Sequence, residues 1–220
     1  MATSAPERSL RQFLAEIEKN YPQDIIHVTK PVEPHKYECT AILKHLENAA
    51  KFPIVMWDKP KNVKGALTKS RLLSNTFASR ERCAIAMGLK PEDSAMPLSL
   101  EYAKRLTQPL TPEVISKKQA PVKQVCNVGK AADLSNYPIV RHHHMDPAPY
   151  IDMTPVMKHP TENFYNIAFL RNMYKEPRKL GIHMSPRHNW QIFRYHEQQG
   201  KPTPVIIFVG HQPSFYLGAL

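Results

Sequence analysis

The chain has 220 residues, of which 42% are hydrophobic, so it is long enough to bury a sizeable core and is not disordered throughout. Lys and Arg number 30 against 19 Asp and Glu, and because the resulting charge of +11 is spread along the chain without an Arg and aromatic stripe, we expect no nucleic-acid binding. No signal core, no run approaching about 20 apolar residues and no C-x-x-C pair is present, so we expect a soluble cytoplasmic protein without a membrane span or disulfides.

The N-terminal third is predicted to alternate between helices and strands. Ser9 and Gln12 have the S-x-x-Q spacing of a capping box, and apolar residues then recur at helical spacing as far as Asn20. The short apolar run Ile25 to Val28 predicts a strand, and a second helix precedes the strand Pro53 to Trp57. The apolar stripe of that second helix consists of Tyr37, Ile42, Leu43 and Leu46.

The middle of the chain combines one well-delimited helix with a long connector. Leu72 to Phe77 is a further predicted strand, after which Ser79 is placed to N-cap a helix that Gly88 ends in a left-handed conformation. From Lys90 to Pro149 prolines are frequent and periodicity is weak, so we predict a connector that follows the surface. Within it, residues 132–138 are expected to approach the next module.

In the last third of the chain, β-branched and aromatic segments alternate with one strongly signalled helix, the pattern of an α/β unit. Asn166 to Arg171 is one predicted strand, Val205 to Gly210 is a second, buried one, and a new helix starts at Pro213. We therefore predict an α+β fold. An N-terminal helix and strand subdomain with its connector, residues 1–130, precedes a second domain, residues 131–220, which is incomplete at its C-terminal end.

The helix of this second domain has signals at both ends. Ser185 can N-cap it, Pro186 suits its first position, and Gly200 closes it. Arg187 and His188 then fall in the first turn, where unpaired backbone N–H groups and the positive end of the helix dipole favour anions. A phosphate site at this helix start is therefore expected.

Three polar residues of this region are candidates for chemistry, and each also has a plain structural interpretation. Asn166 lies in an apolar strand and either binds a ligand or makes a structural hydrogen bond. Arg171 either holds an anion or forms a surface ion pair, and His188 either binds a ligand or simply stacks or caps. Since Asn166 and Arg171 are five positions apart, a flat strand places them on opposite faces, so joint action requires a bulge, a strong twist or a strand end.

The run His142, His143 and His144 invites a metal interpretation, but the geometry is against it. Neighbouring side chains of a strand point to opposite faces and those of a helix diverge, so one tetrahedral ion rarely takes three consecutive residues. A solvated loop or the polar rim of a cavity are the alternatives. Neither a glycine-rich phosphate loop, nor H-E-x-x-H, nor the G-x-S-x-G elbow occurs in the sequence.

Taken together, several segments resemble, in order, the UbiD family of decarboxylases that depend on prenylated FMN. The resemblance lies in their collinearity, since no single segment decides it. The matching stretches are the helix Ser9 to Asn20, the segment Leu72 to Gly88 with Ser79-Arg80-Glu81-Arg82 at its centre, Ala132 to Leu134, Asp146 to Ile151, Asn166 to Arg171, the helix start at His188, and Pro204 to Gly210 followed by Pro213.

The resemblance implies a split-β-barrel-like flavin-binding domain with flanking helices over residues 131–220. It implies that Asn166 and His188 are ligands of a divalent metal, usually Mn²⁺, that ties the cofactor phosphate to the protein, with K⁺ nearby. Arg171 is the implied catalytic residue, facing the flavin and the substrate carboxylate. The implied residues that contact prenylated FMN are Phe169, Leu170, Arg171, Ile182, His183, Met184, Arg187 and His188.

The implied reaction is reversible, non-oxidative decarboxylation of an aromatic or α,β-unsaturated carboxylic acid. The family's third metal ligand and its proton-donating Glu residues are expected beyond Leu220, so the chain is interpreted as an N-terminal portion of such an enzyme. A flavin prenyltransferase would supply the cofactor, and the full-length protein is expected to be a homo-oligomer. A flavin- or phosphate-binding module without catalysis is the alternative.

Overall fold

The computed structural model describes residues 9–219, which form mixed helices and two small sheets, so the α+β prediction is confirmed. No helix within these residues is long and apolar enough to cross a membrane. The helices are α1 (Leu10–Asn20), α2 (Glu38–Asn48), α3 (Arg80–Ala86), α4 (Leu98–Leu106), α5 (His188–Gln198) and α6 (Pro213–Leu217). The strands are β1 (Ile25–Val28), β2 (Ile54–Trp57), β3 (Leu72–Ser74), β4 (Tyr150–Lys158), β5 (Tyr165–Ile167), β6 (Leu170–Glu176), β7 (Lys179–Ile182) and β8 (Ile206–Phe208).

The first sheet has the order β1-β2-β3, with β1 parallel and β3 antiparallel to β2. All four residues of β2 are buried. Because side chains alternate along a strand, they contribute in turn to two separate hydrophobic clusters. Ile54 and Met56 pack with α1 and α3, whereas Val55 and Trp57 pack with α2. The N-terminal part is therefore a sheet covered by helices on both faces.

Local sequence signals account well for the helices of this part. The Ser9 and Gln12 capping box is present, with the Gln12 backbone N–H 3.2 Å from Ser9 Oγ and the Ser9 N–H 2.7 Å from Gln12 Oε1. Ser79 Oγ accepts a hydrogen bond from the Arg82 backbone N–H, and Gly88 ends α3 with a φ of 76°. The predicted caps of α1 and α3 are thus confirmed.

Two predictions in the middle of the chain are corrected. The strand predicted from Leu72 to Phe77 ends at Ser74, because Asn75 takes a left-handed conformation with a φ of 61°. The predicted connector contains the helix α4, which has no buried side chain. Leu98, Tyr102 and Leu106 of α4 do recur at helical spacing, but the helix is short and lies among frequent prolines, which mask this pattern in the sequence.

The second sheet is centred on β4, which pairs antiparallel with β5, β6 and β8, while β6 pairs with β7. The predicted strand Val205 to Gly210 is shorter than expected and is not buried: Ile206 is 61% and Val209 65% exposed. The reason is its position, since β8 pairs only with β4 among the described strands and lies at an edge. Pro213 does begin a helix, which Gln212 caps through its side chain.

The segment around Asp133 connects the two parts. Its carboxylate lies 2.7 Å from Lys64 Nζ in the N-terminal part, and the N–H of the following Leu134 donates to the Pro177 carbonyl, 2.7 Å away, next to β6. Arg141 makes a second link, because its backbone N–H donates to the Pro34 carbonyl and its guanidinium lies 5.4 Å from the Tyr37 ring centre. Residues 132–138 therefore approach the next module as predicted.

We expect Arg82→Ala to destabilise the protein by about 3 kcal/mol, because it removes a buried charge with several partners. Arg82 is 3% exposed, donates to the carbonyls of Phe52, Asn75 and Thr76, and lies 3.5 Å from the Asp24 carboxylate. Chemical denaturation measures the change. Arg80→Ala is the control, since this neighbouring arginine is exposed; an equal loss in both variants would contradict a special role for Arg82.

A second prediction concerns acid stability at the link between the two parts. The hydrogen bond from Lys64, and then that from Ser135, lowers the pKa of Asp133 from its ordinary 3.8 to about 2. A carboxylate with a lowered pKa stabilises the fold above the ordinary value, and this contribution is lost as pH falls from 3.8 towards about 2. We therefore expect Asp133→Asn to lower the melting temperature at pH 7 and to match the wild type near pH 2.

The comparison is made as a difference in melting temperature between wild type and variant at each pH, so that other titrating groups such as Glu33 cancel. Glu176→Gln is the control because its pair with Lys179 is exposed and local, and such pairs contribute little. A difference between Asp133→Asn and wild type that stays constant over this pH range would contradict the assignment.

Candidate functional site

The predicted strand from Asn166 to Arg171 is in fact two strands, with β5 ending at Ile167 and β6 beginning at Leu170. Both keep one register against β4, in which Asn166 stands opposite Met157 and Arg171 opposite Asp152. The two residues between the strands, 168 and 169, are outside regular pairing. Asn166 and Arg171 thus belong to separate strands, but because their register against the continuous strand β4 is unbroken, the break between them supplies a strand end and not a bulge.

The Asn166 side chain reaches the start of α5. Its Nδ2 donates a hydrogen bond to Asn189 Oδ1 over 2.7 Å, and Asn189 is buried at 4% exposure. Asn189 is the second residue of α5 and follows His188 directly. This bond occupies the amide nitrogen of Asn166 and leaves its carbonyl oxygen without a hydrogen bond from the residues that the structure describes.

A second connection lies at Arg171. The His183 backbone N–H donates to the Arg171 carbonyl over 3.1 Å, one pair beyond the last registered partners, Asn172 and Ile182. The segment 183–189, which leads from β7 into α5, is therefore joined to the segment 166–171 at both ends. The structure places the predicted residues Ile182, His183, Met184, Arg187 and His188 along or next to this returning segment.

The beginning of α5 differs from its prediction. The helix starts at His188 with Arg187 in the cap position, and Ser185 and Pro186 lie before it, because the Arg187 N–H bonds back to the Ser185 carbonyl at 2.7 Å and forms a turn. No side chain caps α5. Its first N–H groups therefore lack the partner that a Ser cap would supply, which leaves the positive end of the helix open to an anion.

The C-terminal end of α5 agrees with its prediction. Gly200 has a φ of 65°, and the N–H groups of Gly200 and Lys201 donate to the carbonyls of Glu197 and His196. This pair of bonds is the Schellman arrangement that a left-handed glycine permits. The helix is thus firmly closed at the end away from the site and uncapped at the end that meets Asn166.

The charges around the site are unevenly paired. Arg171 and Arg187 are both exposed, and neither guanidinium makes a salt bridge or hydrogen bond within residues 9–219. Other cations of this region are paired, for example Lys179 with Glu176 and Arg194 with Glu197. Arg187 stands at the uncapped helix start and Arg171 on the strand joined to the segment that leads into this helix, and permanently charged guanidiniums suit phosphate and carboxylate.

Sequence reasoning missed Asp152, which stands opposite Arg171 on β4. Burial raises the pKa of this carboxyl group, Asp146 raises it further, and His142 and Arg171 act in the opposite direction. The Asp152 carboxylate lies 3.9 Å from His142 Nε2. An Asp in the otherwise apolar run YIDMTPVM was the available signal, but its partner depends on strand register, which spacing alone does not give.

The three histidines lie in a loop before β4. Asp146 organises this loop by accepting the backbone N–H groups of His142 and His143 at 3.1 and 2.8 Å, and the rings of His143 and His144 are 4.2 Å apart. Within the described part of the chain, no three His, Cys, Asp or Glu side chains cluster as a metal site would require. The loop is a neighbour of Asp152, and through it of Arg171, at the edge of the site.

Phe169 and Leu170 lie at the break between β5 and β6. The Phe169 ring is 40% exposed and its centre is 5.8 Å from that of Tyr216 on α6, while Leu170 is half-buried. Tyr216 was not predicted as part of the region. Its hydroxyl accepts a hydrogen bond from the His211 N–H at 2.6 Å, a local bond that holds the Tyr216 side chain against the segment leading into α6.

A cleft of about 800 Å³ also lies in the N-terminal part, lined by residues that include Tyr21, Lys51 and Arg82. The donors of Arg82 are occupied by backbone carbonyls, so this buried cation is not available to a ligand. The cleft lacks the group of unpaired cations and the uncapped helix found between β6 and α5. We therefore regard the latter region as the candidate site.

Two family models match the chain. The N-terminal domain model of 3-octaprenyl-4-hydroxybenzoate carboxy-lyase matches residues 19–99, and the Rift-related domain model of the same enzyme matches residues 113–220. The second match includes every residue of the candidate site.

Individual relatives agree with these matches. Anhydromevalonate phosphate decarboxylase of Methanosarcina mazei and phenolic acid decarboxylase of a Streptomyces species are each 26% identical, over 93% of this chain and 43% of their own length. An evolved dimeric form of the UbiD-class enzyme HmfF from Pelotomaculum thermopropionicum, solved with prenylated FMN, superposes with a TM-score of 0.82 at 26% identity, over 94% of this chain and 45% of that protein. The chain thus spans less than half the length of the relatives it matches.

Proposed function

The chain belongs to the UbiD family of carboxy-lyases, and on that premise we propose that it is the flavin-binding portion of a decarboxylase that acts on aromatic or α,β-unsaturated carboxylic acids. The observation that carries the proposal is the double connection between segments 166–171 and 183–189. It joins the strand that carries Arg171 to the segment that carries Arg187 and the uncapped helix start, and guanidiniums and a free helix N-terminus suit a phosphate-bearing cofactor and a carboxylate substrate. We further propose residues 1–130 and 131–220 as the two units, and the second as the prenylated-FMN-binding domain.

The residues at the α5 start fit a divalent ion together with a phosphate. The Asn166 carbonyl oxygen has no hydrogen-bond partner in the described residues. The exposed His188 directly precedes Asn189, the residue to which Asn166 is hydrogen-bonded. An amide oxygen and an imidazole nitrogen suit a borderline or hard ion such as Mn²⁺. Asn166 and His188 would hold that ion, Arg187 and the open helix end would hold the cofactor phosphate, and K⁺ would bind nearby.

The other end of the site would hold the reacting parts. Phe169, Leu170, Ile182, His183 and Met184 would line the flavin. Bound prenylated FMN supplies an electron sink for the carbon atom that loses carbon dioxide. Arg171 would hold the substrate carboxylate bidentately, since its guanidinium is always charged and planar.

Asp152, opposite Arg171, bears on how Arg171 is held. Its raised pKa reflects the cost of ionising a partly buried carboxyl group, and that cost is lowered by His142 and Arg171. We propose that Asp152 supplies negative charge near Arg171, without a hydrogen bond to it, while no substrate is bound. The group that returns a proton to carbon, and a third metal ligand, would come from Glu residues outside these 220 residues.

The remaining partners follow from the same proposal. A flavin prenyltransferase would supply the cofactor, the complete protein would be a cytoplasmic homo-oligomer, and a small carboxylic acid would be the substrate. An evolved form of the relative HmfF is dimeric, which supports the capacity of this family to assemble.

We expect Asn166→Ala or His188→Ala in the complete protein to lose metal and cofactor together, because one ion would connect both residues to the same phosphate. Metal analysis and flavin absorbance on the purified variants measure the two losses. His159→Ala is the control, since this histidine stacks on Phe164 in the turn between β4 and β5 and is not a proposed ligand. Full retention of metal and cofactor in the site variants would contradict the assignment.

We expect Arg171→Lys to keep the cofactor and to lose most turnover, by about 10²-fold or more, because Lys cannot offer the planar fork that holds and orients a carboxylate. The assay is carbon dioxide release from a panel of aromatic and acrylic acids by the complete, reconstituted protein. Arg178→Lys, in the turn between β6 and β7, is the control.

The same assay tests the function itself. Carbon dioxide release from at least one acid by the wild type supports a decarboxylase, whereas stable flavin binding without turnover of any acid would indicate a non-catalytic flavin-binding module. Turnover by Arg171→Lys equal to that of the wild type at saturating substrate would assign Arg171 a structural role.

A further inference from the structure

We propose that Asn189 is a positioning residue that turns the carbonyl oxygen of Asn166, rather than its amide nitrogen, towards the metal ion. The proposal rests on the proposed function, because it concerns the ion that Asn166 and His188 would hold. It adds a residue that neither the sequence motifs nor the family resemblance assigned to the site.

The chemical need is specific. An Asn side chain has an oxygen and a nitrogen at nearly equivalent positions, and only the oxygen can bind a cation. The two orientations have almost the same shape, so packing alone does not choose between them. A partner that presents an acceptor oxygen does choose, because it attracts the NH₂ group.

Asn189 provides such an acceptor. Its Oδ1 lies 2.7 Å from Asn166 Nδ2, and at 4% exposure the Asn189 side chain is held by its surroundings. Because the amide nitrogen of Asn166 is occupied by this bond, its oxygen faces away from Asn189. His188 precedes Asn189 in the first turn of α5. One helical turn therefore both carries one proposed ligand and orients the other.

The arrangement leaves one group of Asn189 unsatisfied. Its Nδ2 is buried and makes no hydrogen bond with the described residues. A buried donor without a partner is unfavourable for folding, and an apolar side chain of similar size would avoid it. Local stability thus gives no reason for Asn at this position, whereas orientation of Asn166 does.

The test measures Mn²⁺ affinity in the presence of FMN, by electron paramagnetic resonance of free Mn²⁺, together with the melting temperature, on the complete protein. We expect Asn189→Leu to weaken Mn²⁺ binding about tenfold or more, the range found when supporting residues of metal ligands are removed, with an unchanged or higher melting temperature. Asn189→Asp keeps an acceptor for Asn166 and is expected to retain Mn²⁺ affinity much closer to the wild type.

Ile192→Ala is the matched control, because Ile192 lies on the same helix and is 1% exposed but has no part in the hydrogen bond. We expect it to lower the melting temperature without weakening Mn²⁺ binding. Wild-type affinity in Asn189→Leu, or an equal loss of affinity in Ile192→Ala, would overturn the proposal for Asn189.

The outcome also separates this proposal from the function on which it depends. If the wild type binds Mn²⁺, His188→Ala does not, and Asn189→Leu binds like the wild type, only the role of Asn189 fails. If the wild type and His188→Ala bind Mn²⁺ equally weakly, the metal site and the role of Asn189 fail together.

Discussion

The hydrogen bond between Asn166 and Asn189 is the constraint on which the arrangement of the site depends. It fixes the start of α5 against β5, while the bond from His183 to the Arg171 carbonyl fixes the end of β7 against β6. The segment between these two points can neither lift away nor slide along the strands without breaking one of them. Arg187, at the end of the irregular stretch, and His188, the first residue of α5, therefore have defined positions although both are exposed.

Much of the fold follows from local sequence because its signals are complete within a few residues. The caps of α1 and α3 and the glycine closing α5 need only the side chain or φ angle of neighbouring residues, and they were predictable. The exposure of β8 and the early end of β3 were not. Each depends on what does or does not pack against the segment, and this information lies elsewhere in the chain.

In the candidate site, too, some residues can be identified from local sequence and others only from the folded chain. Asn166, Arg171 and His188 could be selected from residue type and order. Their relationship could not, since it depends on the break between β5 and β6 and on the register against β4. Asn189 and Asp152 were missed for this reason: each matters through its partner, and only the folded chain identifies that partner.

The alternation along β2 has a consequence for how this sequence can change. Its four consecutive buried residues serve two cores in turn, so inserting or deleting one residue upstream would present Ile54 and Met56 to the helix that now packs on Val55 and Trp57. The connector before Asp133 does not contribute to two cores in this way. Length variation among related sequences is therefore expected to accumulate in the connector and to be absent from the short loop that leads into β2.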